Sequence, residues 1–86
     1  MIIVRSPRFD RAYKKLPPDV QRQFQQKLEL LVSSNLTHPS LRVKRIKGTE
    51  GIWEASIDMA HRFTFEKIEG GLRLRVIGPH AILDNP

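Results

Sequence analysis

The chain has 86 residues, of which 40% are hydrophobic and none is cysteine, and its 15 basic and 9 acidic side chains give a formal net charge of +6. This length predicts one domain, residues 1–86, and the missing thiols exclude disulfide frameworks and thiolate metal sites. No apolar run reaches the roughly 20 residues of a membrane helix and no signal-peptide core opens the chain, so we expect a cytoplasmic protein without membrane contact. The positive charge favours nucleic acid as a partner, although an acidic protein or an anionic lipid satisfies the same electrostatics.

An apolar strand and two helices are predicted at the start of the chain. Residues 1–4 are apolar and predict a strand that joins the later sheet. Ser6 and Pro7 then supply an N-cap residue and a proline at the first helical position. Apolar residues three and four positions apart predict helices over 9–16 and 20–32, and two prolines separate these stretches. A joint this short folds the helices into an antiparallel hairpin.

Short runs that alternate apolar with polar residues fill the chain from 41 to 80 and predict an antiparallel sheet. Gly70 and Gly71 predict a hairpin turn within it. The order of strand, helical hairpin and meander predicts an α+β fold, in which the N-terminal strand and the α-hairpin pack on one face of a small, mainly antiparallel sheet. The other face, which we call the open face, is then expected to be free.

Strand parity predicts which side chains lie on each face, because successive residues of a strand point to opposite sides. The core face is expected to carry the aromatic and aliphatic residues Trp53, Ala55, Ile57, Phe63, Phe65, Leu72, Leu74 and Val76. The open face is expected to carry the polar residues and one aliphatic residue, namely Glu54, Ser56, Arg62, Thr64, Glu66, Arg73, Arg75 and Ile77. A carboxylate among guanidinium groups, with His80 at the rim, is the principal functional signal in the sequence.

Three of these residues suit the cleavage of RNA without a metal. That reaction needs a proton acceptor, a proton donor and fixed positive charge on the phosphoryl oxygens. His80 follows a strand-ending Gly-Pro and can take either proton role near neutral pH, or it is an ordinary surface histidine. Glu54 is the second candidate for proton transfer, and Arg62 is a candidate bidentate phosphate ligand. Alternatively, Glu54 forms a cross-strand ion pair with Arg62 or Arg73.

The remaining basic residues indicate a surface for a polyanion. Four cations occupy six positions with no acid among them: Arg42, Lys44, Arg45 and Lys47. They predict phosphate binding, or else a solvated strand edge that deters aggregation. Arg73 and Arg75 alternate with leucines and are expected to contact a nucleic-acid backbone. The three histidines show no ligand spacing, so His38 and His61 are expected to be structural, and neither a metal nor a cofactor is predicted.

In their order and spacing, several short motifs resemble the RelE/ParE superfamily of small bacterial toxins from type II toxin–antitoxin pairs. The matching features are the opening strand, a first helix followed by prolines, an amphipathic second helix, His38-Pro39-Ser40-Leu41, Lys47-Gly48, Trp53-Glu54, the strand with Arg62, and Ile77-Gly78-Pro79-His80. The resemblance implies a RelE-like fold and a cognate antitoxin that wraps the toxin. It also implies contact with operator DNA only through that antitoxin.

The resemblance implies one of two activities. RelE-like members cut mRNA without a metal, commonly in the ribosomal decoding site, whereas ParE-like members inhibit DNA gyrase. The ribonucleases of the family place functional groups on the open sheet face, at positions held here by Lys44, Lys47, Glu54, Arg62, Arg73, Arg75 and His80. Many relatives carry Asp and Tyr directly after the C-terminal histidine, whereas this chain has Ala81 and Ile82, so no aromatic stacking residue is expected there.

The leading hypothesis is therefore a toxin that cleaves mRNA by attack of the 2′-hydroxyl, without a metal and in association with the ribosome. Glu54 and His80 share the general-base and general-acid roles, and Arg62 stabilises the phosphate. The residues expected to hold RNA are Arg42, Lys44, Lys47, Arg73 and Arg75. The alternatives are a toxin that binds and inhibits DNA gyrase, and an inactive relative that acts only as part of an antitoxin-bound repressor.

Overall fold

Five strands form one mixed sheet in the computed structural model, which describes residues 1–86. The strands are β1 (Ile2–Arg5), β2 (Lys44–Arg45), β3 (Ile52–Ser56), β4 (His61–Ile68) and β5 (Gly71–Pro79). Their order across the sheet is β1-β5-β4-β3-β2. Strand β1 is parallel to β5 and the other neighbours are antiparallel, which confirms the predicted α+β class with a mainly antiparallel sheet.

Two helices form the predicted hairpin, and these are α1 (Pro7–Lys14) and α2 (Pro18–Ser33). The Ser6 hydroxyl caps α1 by accepting a hydrogen bond of 3.0 Å from the backbone N–H of Phe9. Gln21 of α2 donates to the carbonyls of Tyr13 at 2.9 Å and Leu16 at 3.3 Å, and these bonds join α2 to the C-terminal end of α1. No helix in the structure combines the length and the hydropathy of a membrane-spanning segment.

A row of aromatic rings joins the helices to the core face of the sheet. The ring centroid of Phe9 lies 5.4 Å from that of Phe24, and the ring of Phe24 meets that of Phe63 at 5.1 Å and 87°. All three side chains are buried. Such edge-to-face contacts add about 0.5–1.5 kcal/mol beyond the burial of apolar area. The apolar faces of both helices therefore pack against the same face of the sheet.

An extra residue in β5 corrects the predicted parity of this strand. The register passes from Leu74 directly to Val76, so Arg75 is the unpaired residue of a β-bulge. Val76 shares the open face with its partner Thr64, and Ile77 takes the core position that was predicted for Val76. The prediction was wrong because a bulge shifts the alternation by one residue, which reverses the faces of all residues beyond it.

The C-terminal segment covers part of the open face, which was expected to be free. A 3₁₀ helix at His80–Asp84 follows β5 and contacts both β4 and β5. Ile82 packs against Gly78, where an added Cβ would lie 3.0 Å from the Ile82 side chain. The Thr64 hydroxyl donates a hydrogen bond of 3.3 Å to the oxygen of Pro86, and Thr64 is fully buried. The apolar tail thus tucks back onto the sheet.

Two residues that the sequence placed in structural roles lie at the margin of the core. Trp53 packs against the core cluster but stays partly exposed, and the Nζ of Lys67 lies 4.3 Å from its ring centroid. His38 caps the 3₁₀ turn at Pro39–Leu41, because its Nδ1 accepts a hydrogen bond of 3.3 Å from the backbone N–H of Ser40.

Gly71 is predicted to be essential for the pairing of β1 with β5. A Cβ at this position would overlap the backbone of Ile2, its partner in the parallel register. We expect Gly71→Ala to lower the free energy of unfolding by about 3 kcal/mol, measured by urea denaturation. Gly48→Ala is the control, since its Cβ meets no atom and only the left-handed φ of +80° is unfavourable; that conformation costs about 1 kcal/mol. Equal losses in the two variants would contradict this account.

Candidate functional site

The open face of the sheet carries the central residues predicted from the sequence. The cross-strand register places Lys44, Glu54 and Thr64 side by side on β2, β3 and β4. The next row in the same orientation pairs Ser56 with Arg62. The intervening residues of β3 and β4 belong to the core beneath the helices. Glu54 and Arg62 therefore share the face that α1 and α2 leave uncovered.

Glu54 lies within this face with a largely buried side chain, at 8% exposure. It takes part in none of the ion pairs of the structure, although Lys44 is its neighbour in register. The alternative that Glu54 pairs with Arg62 or Arg73 is therefore wrong. Glu54 therefore remains, by its position on the open face, the predicted candidate for proton transfer.

The guanidinium group of Arg62 is held by the turn that precedes its strand. Its Nη1 donates to the carbonyl of Asp58 at 2.6 Å and to that of His61 at 2.9 Å. Because a guanidinium group has five N–H donors, those on Nε and Nη2 stay available for another acceptor. Two parallel donors on one edge are what bidentate recognition of a phosphate requires.

A cavity of about 190 Å³ lies beside Arg62 at the turn between β3 and β4. This Arg62 cavity is lined by Lys27, Ser40, Arg42, Ser56, Ile57, Asp58, Met59 and Arg62. Three cations and one carboxylate surround it, so it favours an anion. Lys27 was not predicted: it reaches the cavity from α2, and its Nζ donates to the Ser40 hydroxyl at 3.2 Å. The only sequence feature that pointed to Lys27 was its position on the polar side of an amphipathic helix.

Asp58 holds the turn between β3 and β4 together. Its Oδ1 accepts hydrogen bonds from the backbone N–H groups of Ala60 at 2.8 Å and His61 at 2.7 Å, and lies 3.0 Å from the His61 ring. Burial opposes ionisation of this carboxyl, but the His61 ring and the two N–H groups outweigh it, so the pKa of Asp58 is lowered. The carboxylate thereby stays charged and positions the loop whose carbonyls hold Arg62.

A second charged cluster lies at the other end of the open face. Arg73 and Arg75 both donate to Oε1 of Glu66, at 2.7 and 3.4 Å. The hydrogen bond from Arg73 is the main cause of the lowered pKa of Glu66, against the opposing effect of burial, and Arg75 adds to it. The carboxylate among guanidinium groups that the sequence indicated is therefore Glu66, and Glu54 stands apart.

The other predicted site residues are exposed at the margins of this face. His80 begins the C-terminal 3₁₀ helix, two residues after Gly78, which is the cross-strand partner of Arg62. Lys44 lies on the edge strand β2, and Lys47 follows in the connection to β3. None of these side chains takes part in an ion pair. No group of three or more His, Cys, Asp or Glu side chains is placed to hold a metal ion.

The fold of the chain is that of several solved toxin structures. No protein-family model matches the sequence, and neither does any curated protein. The structure is similar to a chain of the RelB–RelE antitoxin–toxin complex from Methanococcus jannaschii, with 19% identity, a TM-score of 0.76, and 96% of this chain and 99% of that chain covered. It is likewise similar to a chain of the E. coli DinJ–YafQ toxin–antitoxin complex, with 19% identity, a TM-score of 0.79, and 95% and 94% covered.

The YoeB dimer from Staphylococcus aureus provides a third match, with 14% identity, a TM-score of 0.79, and 93% of this chain and 97% of that chain covered. In each comparison the similarity extends over nearly the whole of both chains. At these low identities the structural similarity establishes a common fold and nothing more. The RelE-like fold that the resemblance implied is therefore confirmed.

The ion pair of Arg73 with Glu66 is expected to stabilise the protein only while Glu66 is ionised. A lowered folded-state pKa means that this stabilisation is present above the unfolded pKa and is lost as the pH falls through the folded one. We expect Arg73→Ala to cost about 0.5 kcal/mol at neutral pH, since Arg73 is half-exposed. This cost should shrink as the pH falls below the ordinary pKa of a glutamate and vanish once Glu66 is protonated in the folded protein, measured by urea denaturation over a series of pH values. A pH-independent cost, or an equal pH-dependent cost in the exposed control Arg22→Ala, would contradict the assignment.

Proposed function

We propose that the chain is the toxin of a type II toxin–antitoxin pair and an endoribonuclease that cleaves mRNA without a metal. One observation carries this proposal. Two backbone carbonyls hold the Arg62 guanidinium group at a cationic cavity, and its Nε and Nη2 donors have no acceptor in the protein. The exposed His80 follows closely after the cross-strand partner of Arg62. The RelE-like fold supports the proposal, because the sequence resemblance to the same superfamily implies this activity. The site of action is the cytoplasm, where mRNA is translated.

The proposed reaction needs only side chains of the open face. The 2′-oxygen of one nucleotide attacks the adjacent phosphorus, and the bond from phosphorus to the 5′-oxygen breaks. A base removes the 2′-hydroxyl proton, and an acid protonates the leaving 5′-oxygen. Glu54 and His80 divide these roles, and the free N–H groups of Arg62 neutralise charge on the phosphoryl oxygens. The products are a 2′,3′-cyclic phosphate and a 5′-hydroxyl.

Basic residues at both ends of the open face provide contacts for the RNA on either side of the scissile bond. Arg42 lines the Arg62 cavity, and Lys44 and Lys47 extend the positive surface along the β2 edge. Arg73 and Arg75 lie at the opposite end. Phosphate contacts of this kind position a strand without reading its sequence. We therefore assign the choice of cleavage position to the context in which the mRNA is presented, and propose that this is the ribosome.

Cleavage of mRNA in a translating extract tests the proposed site. We expect His80→Ala and Arg62→Ala each to reduce the cleavage rate about 100-fold, because the first removes a proton-transfer group and the second removes fixed positive charge. Primer extension on the mRNA measures the cut. Arg22→Ala, an exposed substitution on α2, is the control and should cleave like the parent protein. Full cleavage by both site variants would exclude this site, and inhibited gyrase supercoiling with intact mRNA would favour the ParE-like alternative.

The edge of the sheet at β1 supports the proposal of an antitoxin partner. Ile2 and Val4 are exposed on this edge strand, and a cavity of about 420 Å³ lies between Ile3 and the α2 residues Leu28 and Val32. An uncovered apolar edge strand is prone to pair with another chain. A segment of the antitoxin that folds on binding would bury this surface. Any contact with operator DNA then belongs to the antitoxin.

Binding of the protein encoded by an adjacent small reading frame tests this surface. We expect Val4→Lys and Val32→Lys each to weaken the complex about tenfold, since a charge replaces an apolar contact at the centre of the interface. Calorimetry with purified proteins measures the affinity. Gln26→Lys places the same charge on the exposed side of α2 and serves as the control. Unchanged affinity in both Val variants would exclude the β1 edge as the antitoxin surface.

A further inference from the structure

A second polar pocket lies between the start of α1 and strand β5, away from the Arg62 cavity. This Arg8 pocket has a volume of about 190 Å³ and is lined by Ser6, Arg8, Arg73, Arg75 and Pro86. Three arginine side chains form most of its wall. Such a lining suits an anionic ligand with several oxygen atoms, because guanidinium groups donate in planar forks that match carboxylate and phosphate.

The hydrogen bonds of Ser6 place Arg8 beside β5. Its hydroxyl donates to the carbonyl of Arg75 at 2.6 Å while it accepts from the N–H of Phe9. Its own N–H donates to the carbonyl of Leu74 at 3.0 Å. The start of α1 is thereby fixed to the bulge in β5. Arg8 follows two residues later and lies beside the two arginines of the strand.

The charge of the pocket stays positive although Glu66 lies next to it. Glu66 accepts hydrogen bonds from both Arg73 and Arg75 and so holds their guanidinium groups in one orientation. Three guanidinium charges against one carboxylate give these side chains a net charge of about +2 at neutral pH. The side chains of Arg73 and Arg75 are 47% and 35% exposed, so a ligand in solution has access to them.

Two backbone oxygens already point at guanidinium groups of the pocket. Nη2 of Arg8 donates to the carbonyl of Asn85 at 2.7 Å, and Nε of Arg75 donates to the oxygen of Pro86 at 3.2 Å. Each guanidinium group has five N–H donors, so most of them remain without a protein acceptor. A phosphate presents several charged oxygens and forms shorter, stronger hydrogen bonds with these donors than a neutral carbonyl such as that of Asn85 does.

We propose that the Arg8 pocket binds a backbone phosphate of the RNA, at a second subsite beyond the cleaved bond. This inference rests on the proposed function and extends it. Arg62 and Glu66 are four residues apart on one face of β4, which corresponds to about 13 Å. An RNA strand with one phosphate at Arg62 and another in the Arg8 pocket therefore passes over the C-terminal segment that covers Thr64 between them. Arg8 lies on α1, outside the sheet, and is the residue that completes this subsite.

Binding of RNA by the His80→Ala protein tests the pocket without cleavage. In this background we expect Arg8→Ala to weaken binding of a fluorescent single-stranded RNA about tenfold. The slope of log affinity against log salt should fall by about 0.7, the value for one lost phosphate contact on a single strand. Arg8→Lys keeps the charge but not the planar fork, so it should restore the slope and only part of the affinity.

Arg11→Ala is the matched control, because Arg11 is an exposed arginine on the same helix that does not line the pocket, and it should change neither quantity. Equal affinity of Arg8→Ala and its parent would overturn the proposal, and a loss confined to Arg62→Ala would then leave the proposed function intact. An equal loss in Arg11→Ala would also overturn it, since only overall charge would matter.

Absence of RNA binding by the parent would exclude an RNA subsite. The cleavage assay compares no Arg8 variant, so it would decide the proposed function separately.

Discussion

The contact between the rings of Phe24 and Phe63 determines where the side chains of the candidate site lie. These buried rings meet edge to face at 5.1 Å and join α2 to a central strand of the sheet. Once this face of β4 is covered, the alternate residues of the strand must point the other way. Arg62 and Thr64 therefore lie on the open face, and Glu54 joins them through the register of β3. Packing of apolar rings on one side thus concentrates charge on the other.

The bulge in β5 is the second constraint on the charged surface. Without a partner on β4, Arg75 leaves the regular alternation, and its carbonyl accepts the hydrogen bond from Ser6 that anchors α1. The same irregularity moves Ile77 into the core and Val76 onto the open face. A single inserted residue therefore connects the helical layer to the sheet and gathers arginines from two elements, including Arg8, around one pocket.

The two ends of the open face use different means to hold a guanidinium group. At Arg62 the acceptors are neutral backbone carbonyls, which orient the group without forming an ion pair with it. At Arg73 and Arg75 the acceptor is the carboxylate of Glu66, which orients both groups but cancels part of their charge. A site that stabilises developing charge benefits from the first arrangement, whereas a site that only holds a backbone phosphate tolerates the second. This difference agrees with the roles proposed for the two ends.

Local pattern in the sequence determined the helices and the orientation of β3 and β4, including the common face of Glu54 and Arg62. Such features depend on chain neighbours, because the direction of a side chain within a regular strand or helix follows from its position in the repeat. The tertiary structure alone decided the bulge at Arg75, the arrival of Lys27 at the Arg62 cavity and the burial of Thr64 under the C-terminal segment. These depend on groups far apart in the chain, such as the Ser6 hydroxyl and a carbonyl 69 residues later. A short-range pattern does not encode which distant groups will meet, since that follows from how the complete core packs.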